Sequence, residues 1–201
     1  MSKSVLISIQ PKWCELIASG KKTVEVRKSK PKLDVPFKVY IYCSKSKSQF
    51  LQSRSNMRFY CENKDTLGGH GPGLYKRLNG TVIGEFVCDE IQTIHKDDFS
   101  AYGIYDCSDD DVIASCMQEG LLWDYGQGKD LYFWHISDLK IYDKPKELSE
   151  FKKTKRECWY AVLGIAKRDC PECKNKGCFV TRPPQSWCYV EDMEVVKYAS
   201  T

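Results

Sequence analysis

The chain has 201 residues, of which 42% are hydrophobic and 29% charged, with 5 Trp and 12 Tyr; it is long enough to bury a core and too apolar for a disordered chain. The formal net charge of +4 hides an uneven spread: residues 1–60 carry 13 Lys and Arg against 3 Asp and Glu (net +10), residues 61–150 carry 8 against 18 (net −10), and residues 151–201 carry 10 against 6 (net +4). The basic first third is therefore either an anion-binding surface or the neutralising counterpart of the acidic middle. No run of about 18 apolar residues occurs, which excludes a membrane-spanning helix. The first residues, MSKSVLISIQPK, hold an apolar stretch too short for a secretory signal. Eleven cysteines, an odd number scattered along the chain, do not form a disulfide framework and fit a reducing, cytoplasmic setting in which most thiols are small buried hydrophobes.

Val5 to Ile9 is a run rich in β-branched residues and predicts a strand; Pro11 just after it predicts the first turn of a helix. Trp13, Leu16 and Ile17 follow at helical spacing and Gly20 stands where a left-handed cap is wanted. The next stretch, GKKTVEVRK from Gly20 to Lys28, alternates: Val24 and Val26 point to a core, so Thr23, Glu25 and Arg27 share the other face of a strand, with Lys21 and Lys22 at its entry and Lys28 at its exit. A carboxylate among cations is held ionised by them, and the Arg27 fork suits a phosphate or a base edge. The alternative is an exposed ion pair of little worth.

Lys38 to Cys43 predicts a third strand. Residues 46–78 read as an insertion; their glycines Gly68, Gly69, Gly71 and Gly73 with Pro72 oppose regular structure, and His70 among them is expected in solvent. Thr81 to Cys88 is a strand entered through the Asn79-Gly80 turn. Ser108 is expected to cap a helix that opens on Asp109, Asp110 and Asp111 and ends at Gly120; acid in a first turn complements the helix dipole, so a metal need not be invoked. Leu131 to Ile136, Glu157 to Ile165 and Trp187 to Val190 complete the strands. Many short strands, two or three helices and no βαβ rhythm predict an α+β protein built on a small mixed barrel.

Two further segments could carry function. In Arg182-Pro183-Pro184-Gln185-Ser186-Trp187 the prolines hold an extended backbone that presents Gln185, Ser186 and Trp187 in a fixed direction, suited either to reading a base with an amide and stacking it on an indole, or to closing the end of the barrel. Cys170, Cys173 and Cys178 have the density of a structural zinc knuckle spanning about 158–178, with Cys158 as the fourth ligand and Cys188 as its alternative.

Taken in order, the segments SIQPKWCELIASGKKTVEVRKSKP, VYIYCSK, GTVIGEFVCDEI, YFWHISDLKIYDKP and RPPQSWCYV resemble the ASCH domain family, whose fold is similar to that of the PUA domain, and in particular its stand-alone bacterial and phage versions. The resemblance covers most of the chain apart from the 46–78 segment and the cysteine cluster. It implies one PUA-like domain over 1–201, a small mixed β-barrel with flanking helices, and a cleft lined by a Gly-x-Lys-x-x-x-x-Arg segment that falls on Gly20, Lys22 and Arg27. The family's implied ligands are RNA, a nucleotide or a modified nucleoside, with Lys22 and Arg27 on phosphate and Glu25 accepting from a base or ribose. Some small members are amidohydrolases acting on acetylated cytidine, with a threonine nucleophile and a lysine on this strand, and others have been described as ribonucleases. Lys22 matches that lysine, whereas Glu25 stands where the threonine would be. An enzyme would then use Lys22 and Glu25, the carboxylate acting as a base for water. A zinc-stapled interaction domain is the third expectation.

Overall fold

In the computed structural model, which describes residues 3–63, 74–96, 108–154 and 179–193, the apolar run at the start of the chain becomes β1 (Lys3–Ile9). It lies inside the sheet, parallel to β3 (Phe37–Cys43) on one side and antiparallel to β9 (Trp187–Glu191) on the other. Both its faces are covered: Val5, Ile7 and Ile9 join one apolar cluster and Leu6 another. That is why it reads as a continuous apolar run instead of an alternating one. The helix α1 (Pro11–Ala18) follows with Pro11 in its first turn. Gly20 ends it at φ +75°, and the Lys21 amide returns to the Leu16 carbonyl over 2.9 Å, the left-handed stop expected from the sequence.

The main sheet has six strands in the order β2, β8, β7, β3, β1, β9, where β2 is Val24–Arg27, β7 is Val82–Ile94 and β8 is Leu131–Lys146. At Gly84 the β7 backbone runs so close to β8 that an added Cβ would lie 2.4 Å from the Lys140 carbonyl oxygen, which accounts for glycine within a strand. Residues from the 46–78 segment build a second sheet of three strands, β4 (Ser48–Ser53) flanked by β5 (Phe59–Asn63) and β6 (Tyr75–Arg77). Asn79 fastens this sheet to the first: its side chain accepts from the Phe50 amide at 2.8 Å and donates to the Ser48 carbonyl at 2.9 Å. Both Gly68–Gly73 and His70 lie outside the described residues.

The architecture is mixed α+β with a sheet-dominated core, and among the described residues the sheets are open. The closed barrel expected from the sequence is not what the described residues form: no backbone ladder joins β2 to β9. Side chains meet across that gap instead. Arg27 Nη2 donates to the Ser8 carbonyl at 2.7 Å, the rings of Trp134 and Trp187 lie 6.2 Å apart, and Trp187 Nε1 donates to Ser29 Oγ at 3.1 Å.

The acidic helix also differs from expectation. Ser108 caps it as predicted, its hydroxyl oxygen accepting from the Asp111 amide at 3.2 Å. The helix α2 (Asp109–Ser115) then stops at Cys116, which adopts φ 54°, and a second helix α3 (Glu119–Gly126) contains Gly120. The reason is at the start of β2: the Thr23 amide takes the Ala114 carbonyl at 2.9 Å and the Lys22 ammonium takes the Ser115 carbonyl at 2.6 Å. These are carbonyls that a continuing helix would have bonded to residues 118 and 119. The strand Glu157 to Ile165 lies outside the described residues.

Candidate functional site

Strand β2 is buried along its whole length, although only half of it is apolar. Val24 and Val26 pack with Leu122, Leu131 and Phe133 under α3, as the alternation predicts. The opposite face carries charge into the interior. Lys22 is 2% exposed, Glu25 5% and Arg27 8%, values that charged residues reach only when paired. Glu25 stands between the other two: its Oε1 accepts from Arg27 Nη2 at 2.9 Å and its Oε2 lies 3.6 Å from Lys22 Nζ.

Each cation has a second partner. The Lys22 ammonium points at the carboxyl-terminal end of α2, where the Ser115 carbonyl accepts at 2.6 Å, and sits 5.1 Å from the centre of the Trp13 ring. Burial pushes the Lys22 ammonium below the ordinary lysine value, and Glu25 opposes that shift. The Arg27 guanidinium gives one N–H to Ser8, while its Nε is buried and has no acceptor. The group therefore carries two cations, one anion and a spare donor.

These side chains line a cavity of about 270 Å³ together with Trp13, Met117, Tyr125 and Gln185. Trp13 and Tyr125 line it from two helices, α1 and α3. From the sequence Trp13 reads as a core position of its helix, and Tyr125 lies in a helix that was not expected. Leu122 and Tyr125, three residues apart, were the available signal for it.

Of the other expected site residues, Lys21, Thr23 and Lys28 are exposed outside the cavity lining, Thr23 in front of the strand instead of on its charged face. Lys28 Nζ lies 4.9 Å from the Tyr125 ring centre. In the proline segment Gln185 reaches the cavity, Arg182 is exposed and does not, and the Ser186 carbonyl accepts from the Ser8 amide at 2.9 Å. Trp187 is half-buried against Trp134 and Tyr189. Cys158, Cys170, Cys173 and Cys178 lie outside the described residues, and Cys188 is half-buried on β9. Among the described residues no three His, Cys, Asp or Glu side chains are grouped to hold a metal ion, and no helix is long and apolar enough to cross a membrane. Cys14, Cys43 and Cys88 are buried thiols in the main core; burial pushes Cys88 up to about 12, so it is chemically quiet.

The site thus gathers a Lys, a Glu and an Arg at a short buried strand, in a cavity that Trp13 and Tyr125 also line. The ASCH domain model matches residues 7–166, and the chain belongs to the ASCH domain family, whose fold is PUA-like. It is similar to the crystal structure of ASCH from Zymomonas mobilis, at 18% identity and a TM-score of 0.52 over 96% of this chain and 91% of that one. Two structures of single-residue mutants of the Zymomonas protein are similar as well. Both are 18% identical, with TM-scores of 0.53 (98% and 96% of the two chains) and 0.52 (96% and 92%). A likeness at this identity is one of fold. No curated protein matches the chain.

Proposed function

We propose that the chain binds RNA or a nucleotide in the cavity of Lys22, Glu25 and Arg27. The observation that carries this reading is the burial of three charged side chains, each under a tenth exposed, together in the lining of one cavity. Buried ion pairs barely repay their desolvation, so stability alone is a poor reason to keep them. A ligand that brings a donor to Glu25, beside the Trp13 and Tyr125 rings that line the same cavity, adds to the set. Phosphate meets Lys22 and Arg27, and Gln185 offers an amide to a base edge. Membership of a family with a PUA-like fold supports the same class of ligand.

Filter binding of a single-stranded RNA across a salt series tests this. Affinity should fall with salt. Arg27→Gln should lower it by about tenfold or more, since hydrogen bonds from a charged donor contribute ~1.5–3 kcal/mol, while Lys144→Ala, at an exposed position on β8, should change it less than about twofold. Equal losses from both would mean diffuse attraction to the surface and remove the cavity from the account. A hydrolytic role for the same pocket would rest on the Glu25 carboxylate beside a lysine whose charge is disfavoured by burial; release of acetate from acetylated cytidine, followed in the same samples, separates turnover from binding.

The zinc knuckle is a second proposal, resting on the spacing of Cys170, Cys173 and Cys178 with Cys158 or Cys188. Elemental analysis of protein kept reduced should find about one zinc per chain. Less than about a tenth of an equivalent would remove the site.

A further inference from the structure

Two buried thiols meet behind the triad cavity. Cys14 lies on α1 and Cys43 ends β3, and both are fully buried in the main core. The Ile9 carbonyl brings them together: it accepts from the Cys14 thiol at 3.6 Å and from the amide of Ser44, the residue after Cys43, at 2.8 Å. Ile9 is also the residue opposite Cys43 in the parallel β1–β3 register, and its side chain joins the same apolar cluster as both cysteines. Burial, and then the hydrogen-bonding contact with the Cys43 thiol, hold the Cys14 thiol well above its ordinary value.

Both cysteines are one residue away from the cavity lining. Trp13 precedes Cys14, Ser44 follows Cys43, and Trp13, Ser44 and Ile9 all line the cavity. The charges of Glu25 and Arg27 act on Cys14 as well. Packing accounts for a buried cysteine such as Cys88 in the same cluster, where the thiol serves as a small hydrophobe. Two thiols in contact across a helix and a strand add a chemistry that packing does not require.

We propose that Cys14 and Cys43 are a dithiol switch that a hydroperoxide converts into a disulfide, and that this bond tunes the cavity, the second half resting on the reading of the cavity given above. One cysteine, as its thiolate, attacks a peroxide oxygen; the O–O bond breaks, the sulfur becomes a sulfenic acid and hydroxide leaves with the electron pair, taking up the proton that the thiol gave up. The other thiol then attacks that sulfur, forming the S–S bond and releasing water. The sum is two thiols and one hydrogen peroxide to one disulfide and two waters, with two electrons passing from sulfur to oxygen. Since burial disfavours its thiolate, Cys14 reacts slowly at neutral pH and faster in alkaline solution. Disulfide sulfurs are about 2.05 Å apart, much closer than two thiols in contact, so the bond draws the start of α1 toward the end of β3. Trp13 moves with it, and its ring centre no longer keeps the 5.1 Å distance to the Lys22 ammonium.

Peptide mapping of the reduced full chain treated with hydrogen peroxide at about pH 7 and about pH 8.5, alkylated while unfolded and digested without reductant, tests this. Mass spectrometry should find Cys14 joined to Cys43, faster at the higher pH and reversed by dithiothreitol. The oxidised protein should bind single-stranded RNA about threefold or more weaker than the reduced protein, and reduction should restore the affinity. Cys43→Ala should keep the affinity of the reduced parent and lose the response to peroxide. Cys14 and Cys43 recovered as alkylated thiols or sulfinic acids, or joined to another cysteine such as the half-buried Cys61 of β5, overturn the switch. The bond formed with RNA affinity unchanged overturns its control of the cavity. A reduced protein that binds no RNA removes the cavity reading and the control of binding together, while the mapped bond by itself still decides the dithiol.

Discussion

Glu25→Ala should destabilise the fold by about 3–5 kcal/mol in urea unfolding, the loss seen when one member of a buried ion pair is removed and its partner stays behind. The effect is large because the carboxylate serves two cations at once: Arg27 Nη2 at 2.9 Å and Lys22 Nζ at 3.6 Å, in side chains that are nearly sealed from solvent. Without it both are left in the interior without an anion, Arg27 on the Ser8 carbonyl and Lys22 on the Ser115 carbonyl and the Trp13 ring. Replacing all three at once, Lys22→Met with Glu25→Leu and Arg27→Met, removes the charges together with the need for pairing. That variant should unfold within about 1 kcal/mol of the parent or above it, as buried ion groups commonly do when exchanged for apolar residues of similar size, and it should no longer bind RNA. A triple variant as unstable as Glu25→Ala would show that the triad holds the fold and would weaken the argument that it is kept for a ligand.

How far the sequence foretold this depends on the range of the interaction. Local signals were legible: Pro11 and Gly20 bracket α1, Ser108 caps α2, and the valines of β2 find the core. So was the cluster of Lys22, Glu25 and Arg27, because it sits on one strand and its entry, within six residues. Alternation could not show that this strand is buried on both faces. That follows from α2 docking on its start, through contacts about ninety residues away in sequence. The same docking ends α2 at Cys116 and makes room for α3, so the break was invisible to a reading of the helix's own residues. Trp13 and Tyr125 were missed as cavity-lining residues for the same cause: each belongs to a helix whose apolar face is legible, but whose neighbours at the cavity are fixed only by the sheet. Trp187, expected as a stacking residue or a closing one, packs between Trp134 and Tyr189.

That packing bears on the other large effect. Among the described residues the six-stranded sheet is open between β2 and β9, and aromatic side chains from β8 and β9 meet there. Trp134 is the largest of them: it is fully buried opposite Glu25 in the β2–β8 register, edge-on to Phe37 at 5.9 Å and 6.2 Å from Trp187. Trp134→Ala should therefore cost about 3–5 kcal/mol, the range for truncating a buried aromatic whose cavity cannot collapse. Trp187→Ala removes a half-buried ring and should cost roughly half as much, since both transfer and cavity terms scale with what was buried. It also frees the Ser29 hydroxyl and loosens the segment that carries Gln185 into the cavity, so RNA affinity should drop with it although Trp187 does not line the pocket. Urea unfolding and RNA titration on the two variants check this. If Trp187→Ala were silent in both, the Arg27–Ser8 hydrogen bond would suffice to hold the sheet ends together, and the aromatic contact would be packing without consequence for the site.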